Sequence, residues 1–189
     1  MTATHVALFR GINVGKAKRI AMADLRVLLE ELGYADVRTL LNSGNAVFAL
    51  PARVAKRDPA ARIEAAVLAG LGVQSRVTVL TALEVSAILD KNPLRTAAAA
   101  EPSRVLIAIP RVPADLALLR SQAREDWAPE TLALGPRAAY LHCPAGILTG
   151  RVATVVDRAL GDRVTARNAA TMEKIRDLLA PDPPARRTR

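Results

Sequence analysis

Apolar positions along the first ninety residues alternate between short runs and helical spacing. Short apolar runs of about five residues are typical of buried strands, and apolar residues recurring every three or four positions indicate helices. The turn sequence Asn42-Ser43-Gly44 between two such runs predicts a hairpin. The elements predicted, in order, are strand 5–9, helix 22–32, strand 37–41, strand 45–50, a helix that begins at Asp58-Pro59, and strand 76–80.

A further helix follows this unit. Thr81 to Glu84 has the pattern of a capping box, which predicts a helix that runs to about Lys91. Asn92-Pro93 ends it, because the residue before proline avoids helical geometry. Residues 94–103 are rich in alanine and contain Pro102, and we interpret them as a linker.

The same order of elements recurs in the second half of the chain, in pattern rather than in residue identity. The predicted elements are strand 105–109, helix 113–124, strand 131–134, strand 138–142, helix 152–160, strand 163–166 and a final helix ended by Pro181.

The order βαββαβ is that of the ferredoxin-like unit. We therefore predict an α+β fold of two tandem ferredoxin-like halves, each an antiparallel sheet covered by helices. The predicted domains are a first half with its trailing helix at 1–91, a linker at 92–103, a second half with its trailing helix at 104–180, and a basic tail at 181–189 that we expect to be disordered.

Composition fits a cytoplasmic protein with an aliphatic core. The chain has 189 residues, of which 51% are hydrophobic and 3% aromatic. We find neither a signal peptide nor an apolar stretch of the roughly 20 residues that span a membrane. The single cysteine, Cys143, cannot form an internal disulfide and is expected to be a small buried hydrophobe.

The net charge of +9 favours anionic partners such as nucleic acid or phosphorylated metabolites. It is weak evidence for them, because abundant Arg and Ala also follow from a GC-rich genome. Part of the excess lies in the tail, at Arg186, Arg187 and Arg189.

Several segments are distinctive together. They are Ala7-Leu8-Phe9-Arg10-Gly11-Ile12-Asn13-Val14-Gly15, Met22-Ala23-Asp24-Leu25, Asn42-Ser43-Gly44-Asn45-Ala46-Val47-Phe48 and Thr165-Ala166-Arg167-Asn168. Through them nearly the whole chain resembles the bacterial domain-of-unknown-function family 1697. The resemblance implies the tandem ferredoxin-like fold and no known activity. The chain departs from the family at Ala169 and Ala170, where relatives often carry an aromatic or larger residue.

The basic loop after the first strand is the first candidate site. The segment from Gly11 to Lys16 superficially suggests a phosphate-binding P-loop, but it has three residues between its glycines instead of four, and Ala17 follows the lysine instead of Ser or Thr. A weaker hypothesis survives, in which the glycines let backbone N–H groups converge on an anion beside Arg10 and Lys16.

Topology brings this loop next to the hairpin turn. In a βαββαβ unit the third strand runs back beside the first, so the end of strand one and the turn between strands two and three share an edge of the sheet. The candidate ligand-binding residues at this edge are Arg10, Gly11, Asn13, Gly15, Lys16, Ser43, Gly44 and Asn45. The alternative is structural: the turn is an ordinary hairpin, and Asn13 and Asn45 satisfy buried backbone groups.

A second candidate is Arg167-Asn168, at the start of the last helix. Helix N-termini bind anions, and Arg167 would add charge. The structural alternative makes Asn168 the helix N-cap and Arg167 a surface ion-pair partner. The same topological argument groups Arg167 with Arg111 and Arg137 on one edge of the second half.

Three functions stay open on these grounds. The first is a binding protein for an anionic or polar ligand, either a phosphorylated metabolite or a nucleic acid. The second is an enzyme acting on a phosphorylated small molecule, for which only Asp24 is close in sequence as a general base. The third is a scaffold with no ligand. We assign no catalytic residue, no metal site and no cofactor. Phe9 and Phe48 are expected in the core, which argues against RNA binding on a sheet face.

Overall fold

The computed structural model describes residues 4–14, 18–52 and 58–180. The predictions for Gly15, Lys16 and the tail at 181–189 concern residues outside these ranges. The strands are β1 His5–Phe9, β2 Ala35–Leu40, β3 Asn45–Ala49, β4 Val77–Thr81, β5 Val105–Pro110, β6 Thr131–Leu134, β7 Ala139–His142 and β8 Val164–Asn168. The α-helices are α1 Met22–Glu31, α2 Pro59–Leu71, α3 Ala82–Asp90, α4 Arg95–Ala100, α5 Arg151–Leu160 and α6 Ala169–Leu179.

The strands form two four-stranded antiparallel sheets with the same internal order. The first sheet has the order β2-β3-β1-β4 and the second has the order β6-β7-β5-β8. Their registers also correspond. Phe9 at the end of β1 pairs with Val77, and Pro110 at the end of β5 pairs with Val164. Residues that follow β1 or precede β4 therefore occupy places equivalent to those that follow β5 or precede β8.

Alternation along the strands divides the apolar side chains among three cores. The outer face of the first sheet packs on α1 and α2, with Phe9 and Phe48 among its buried residues. The outer face of the second sheet packs on α5 and includes Trp127 and Cys143. A central core joins the inner faces of both sheets to α3 and α6. Both faces of each sheet are thus covered.

The structure confirms the predicted helix starts and the predicted hairpin, which depend on residues close together in the sequence. Asp58 caps α2 by accepting a hydrogen bond from the Ala60 N–H at 2.9 Å. Thr81 and Glu84 form the predicted capping box of α3. The hairpin predicted at Asn42-Ser43-Gly44 is the β2–β3 hairpin.

Residues 94–103, which the sequence predicts to link the two halves, contain the helix α4. Alanine has the highest helix propensity, and Ala97 and Ala98 pack against the central core. Residues 113–124 were predicted as one α-helix but form two 3₁₀ segments, Pro113–Leu119 and Gln122–Arg124. The buried pair Leu116 and Leu119 is spaced by three, which suits a 3₁₀ turn as well as an α-turn.

The last strand is longer than the four residues predicted, and extends to Asn168. Arg167 therefore lies within the strand, opposite Ile107 of β5, instead of at the edge beside Arg111. No helix in the described part of the chain is long and apolar enough to cross a membrane.

Candidate functional site

The predicted edge of the first half is formed as expected from topology. The Phe9 N–H donates to the Gly44 carbonyl at 2.9 Å, which places Arg10 beside the hairpin turn. Gly44 has a φ of 77°, and a Cβ there would lie 2.6 Å from Cδ1 of Ile12. The turn therefore requires glycine both for its backbone conformation and for close packing.

Asn13 uses its side chain to hold this loop together. Its Nδ2 donates to the carbonyls of Ile20, at 2.9 Å, and Asn42, at 2.8 Å. Its Oδ1 accepts from the Ile20 N–H at 2.8 Å. All three bonds are to backbone groups, so in this structure Asn13 connects the loop to the hairpin.

Asn45 is fully buried, and both ends of its amide have protein partners. Its Nδ2 donates to the Leu40 carbonyl at 2.9 Å and to the Ser43 hydroxyl at 3.1 Å. Its Oδ1 accepts from Nε of Arg167 at 2.5 Å. The edge of the first half is thus joined to the second half through Arg167.

Arg167 is a buried arginine, 9% exposed, whose hydrogen-bond acceptors are all neutral. Nη2 points to the carbonyls of Phe9 at 2.8 Å, Ser43 at 3.0 Å and Gly44 at 2.9 Å. Nη1 donates to the Ala166 carbonyl at 2.8 Å and to the Thr165 hydroxyl at 3.2 Å. Burial lowers the pKa of the guanidinium to about 10, so it stays charged at neutral pH.

Arg10 also reaches across to the second half. Its Nη1 donates to the Val164 carbonyl at 2.7 Å, and its Nη2 forms an ion pair with Asp157 of α5 at 2.7 Å. Arg111, the equivalent residue of the second half, reciprocates: it pairs with Glu64 of α2 at 2.9 Å and with Asp58 at 3.0 Å. An arginine of each half thus forms an ion pair with the other half, and the two sets of contacts are nearly symmetric.

A groove lies at the seam between the two halves, beside these arginines. Its inner cavity has a volume of about 290 Å³ and is lined from both halves by pairs of equivalent residues. The pairs are Arg10 and Arg111, Arg76 and Arg163, Val77 and Val164, and Thr78 and Thr165, with Val112, Asp115 and Asp162 completing the wall. An adjoining cavity of about 510 Å³ shares Arg10, Arg76 and Asp162 with it and is also lined by Gly11, Glu64 and Leu68.

The equivalence of the pairs follows from the registers of the two sheets. The Arg10 N–H donates to the Arg76 carbonyl at 2.9 Å, and the Arg111 N–H donates to the Arg163 carbonyl at 2.8 Å. Within each half, one arginine follows a central strand, β1 or β5, and the other precedes the neighbouring edge strand, β4 or β8. We refer below to this seam, with the residues of its inner cavity, as the groove.

Three of the four arginines are held by carboxylates. Arg10 and Arg111 have the partners given above, and Arg76 pairs with Asp162 at 3.1 Å and with Glu64 at 3.5 Å. Arg163 is exposed, and within the described ranges no carboxylate lies within 4 Å of its guanidinium. The inner wall carries four arginines against the two carboxylates Asp115 and Asp162.

The predicted site residues divide into three groups. Arg10 lines the groove, and Gly11 lines the adjoining cavity. Ser43, Gly44, Asn45 and Arg167 meet at the contact between the halves, and Asn13 joins the loop to the hairpin within the first half. Asn168 caps α6 by accepting from the Thr171 N–H at 2.9 Å, as its structural alternative predicted. The groove residues Arg76, Arg163, Thr78 and Thr165 were not foreseen. An alignment of the two predicted repeats would have paired Arg76 with Arg163 and Thr78 with Thr165. The arginines directly precede the last strand of each half, and the threonines are its second residues.

Other residues weighed from the sequence lie outside the groove. Cys143 is buried, and burial raises the pKa of its thiol to about 11, so it is protonated at neutral pH. Asp24 is exposed in the first turn of α1. Phe9 and Phe48 are buried in the core of the first half, as expected, and Tyr140 is buried in the central core.

Comparisons with known proteins agree with this architecture. The structure of the conserved bacterial protein SP0830 from Streptococcus pneumoniae superposes with a TM-score of 0.73 at 22% sequence identity, over 95% of this chain and 100% of that one. At that identity the likeness concerns the fold alone. No curated protein matches the chain significantly. The sequence model of the family described as "Protein of unknown function (DUF1697)" matches residues 1–140, and the chain therefore belongs to the DUF1697 family.

Proposed function

We propose that this protein binds a small anionic molecule in the groove between its halves. The observation that carries the proposal is the pairing of four arginines, at equivalent positions of the two halves, around one concave cavity of about 290 Å³. That volume is near the lower end of the range for small-molecule sites, roughly 300–1,000 Å³. Placement at the seam also fits the tendency of ligands to bind between domains.

Each half is, in our interpretation, ferredoxin-like. The strand orders β2-β3-β1-β4 and β6-β7-β5-β8 and the order of elements along the chain support this. In the second half, 3₁₀ segments stand in place of the first helix. The groove then forms where the end of β1 and the start of β4 meet the end of β5 and the start of β8.

The arginines keep donors available for a ligand. A guanidinium has five N–H groups. Arg10 and Arg111 each donate two hydrogen bonds to described residues, one from Nη1 and one from Nη2. Three N–H groups of each guanidinium are left for a further acceptor. Asp157 and Asp58 hold these side chains without lining either cavity. The ion pairs orient the arginines, and this reduces the entropy lost on binding.

A small molecule suits the site better than a nucleic acid. Recognition of RNA by a sheet of this kind uses exposed aromatic side chains on the central strands. Phe9, Phe48 and Tyr140 are fully buried instead, and both sheet faces are covered. The cationic residues at the seam surround a concavity rather than a broad surface.

Arg163 provides the test, because its removal breaks no ion pair with a described residue. We expect Arg163→Ala to weaken the binding of inorganic phosphate about fivefold, the equivalent of about 1 kcal/mol for an exposed charge contact. Isothermal titration calorimetry at low ionic strength measures it. Arg158→Ala is the matched control, since Arg158 is exposed on α5, lines neither cavity and removes the same charge.

Equal affinities for the two variants would contradict a site in the groove and leave only nonspecific attraction. A parallel titration with single-stranded RNA tests the competing class of partner. Tight RNA binding that persists at physiological salt, when phosphate does not bind, would replace the proposal with a nucleic-acid function.

A further inference from the structure

Two threonines occupy equivalent positions at the inner end of the groove. Thr78 lies opposite Leu8 in the first sheet, and Thr165 lies opposite Ile109 in the second. Each is on the sheet face of the central core, because its cross-strand partner belongs to that core and directly opposed side chains lie on one face. Both line the inner cavity, although they are only 5% and 2% exposed.

The hydroxyl of Thr165 is oriented by its neighbour. A hydroxyl has one proton to donate and two lone pairs. Thr165 Oγ1 accepts from Nη1 of Arg167 at 3.2 Å, which turns a lone pair towards the guanidinium. Among the described residues, no acceptor takes the hydroxyl proton. That proton is therefore available to a ligand in the groove.

Thr78 has a hydroxyl with no protein partner within the described ranges. Polar groups of nearly buried residues are normally hydrogen-bonded, to protein or to water, so an unpaired hydroxyl at a cavity wall indicates a position for an external acceptor. Thr78 and Thr165, one from each half, therefore each bring to a single cavity a hydroxyl whose proton no described residue accepts.

The charge of Arg167 lies one hydrogen bond behind this wall. All its acceptors are carbonyl, amide or hydroxyl oxygens, and no carboxylate pairs with it in the part of the chain that the structure describes. A buried charge that lacks an opposite charge is costly. An anion that accepts a hydrogen bond from Thr165 would place a negative charge close to the Arg167 guanidinium, with the hydroxyl between them.

We propose that Thr78 and Thr165 form the subsite for the oxyanion end of the ligand, with Arg167 as a positioning residue for the Thr165 hydroxyl. The inference rests on the proposed function and gives the ligand its class: a small organic phosphate or carboxylate. Its charged end enters between the threonines, and its carbon portion faces Val112, which is 53% exposed at the cavity wall.

Removal of the hydroxyls without change of shape tests the subsite. We expect Thr78→Val and Thr165→Val each to weaken binding of inorganic phosphate about tenfold or more, as a lost hydrogen bond to a charged group does. Thr165→Ser, which keeps the hydroxyl, restores most of the affinity. Thr39→Val is the control, because Thr39 is a strand residue that lines neither cavity. Acetate titrated in parallel separates a carboxylate preference from a phosphate preference.

The outcomes separate this subsite from the groove itself. Phosphate binding that is weakened by Arg163→Ala but unchanged in both valine variants overturns the subsite and leaves the proposed function standing. Absence of saturable binding of phosphate and acetate to the wild type overturns both. If Thr165→Val does not unfold cooperatively, Thr78→Val decides, because its hydroxyl bonds to no described residue.

Discussion

Single residues at the seam show how position changes the role of a side chain. In the sequence, Arg167 stands beside a helix N-cap and has the pattern of a surface cation. In the structure it is buried between the halves with its donors directed at six oxygen atoms. Charge-assisted hydrogen bonds of this kind offset part of the cost of burying the guanidinium. The planar fork of arginine makes so many simultaneous contacts possible.

Arg167→Lys tests this role. Lysine keeps the charge but has a single nitrogen with three donors, so it cannot reach the Asn45 amide and the Phe9 carbonyl together. We expect the free energy of unfolding to fall by about 2–4 kcal/mol, because buried oxygen acceptors lose their partners. Urea unfolding followed by circular dichroism measures it.

The exposed Arg163→Lys is the control, with an expected change within about 0.5 kcal/mol. Similar stabilities for the two lysine variants would mean that the Arg167 contacts contribute little to the fold.

In each half the last strand runs directly into the helix that follows it, without an intervening loop. β8 ends at Asn168 and α6 begins at Ala169, so one residue closes the strand and caps the helix. β4 likewise runs directly into α3, with Thr81 as the cap. These direct connections hold α3 and α6 against the inner faces of the sheets, where they complete the central core.

Asn168→Ala separates capping from ligand binding. We expect a loss of about 1 kcal/mol in the free energy of unfolding, since the Thr171 N–H loses its acceptor. Phosphate affinity should not change, because Asn168 does not line the groove. Asn168→Asp retains a capping oxygen and should keep the stability. A loss of phosphate affinity in Asn168→Ala, with stability intact, would instead place Asn168 at the ligand.

The whole molecule depends on contacts between its two halves. Val6, Leu8, Val47 and Leu80 on the inner face of the first sheet pack in the same core as β5, β7 and α6. The Tyr140 hydroxyl donates to the Ile88 carbonyl at 2.7 Å, and Arg38 donates to the Leu178 carbonyl at 2.8 Å. Separation of the halves would expose these apolar faces to water and leave polar groups unpaired.

We therefore expect the fragment 1–91 not to fold by itself, whereas its mixture with the fragment 92–189 recovers native structure. Dispersion of amide signals in NMR spectra measures both. The full chain should unfold in one calorimetric transition. A dispersed spectrum and cooperative unfolding of 1–91 alone would show that the first half is an independent domain.

The sequence by itself determined those features that depend on near neighbours. The order of the strands, the helices other than α4, the β2–β3 hairpin, the capping box of α3 and the N-cap of α6 follow from periodicity and from side chains that bond a few residues away. Topology also brought Arg10 next to the Asn42-Ser43-Gly44 turn, because the arrangement of strands within one unit is restricted.

Only the tertiary structure decided the site. Arg10 and Asp157 are 147 residues apart, and Arg167 and Asn45 are 122 apart, yet each pair is in contact. The groove and the two threonines exist because the halves pack inner face to inner face, and local patterns do not encode that docking. The 3₁₀ segments at Pro113–Leu119 and the helix α4 were missed for a related reason, since tertiary packing chose between local conformations of similar energy.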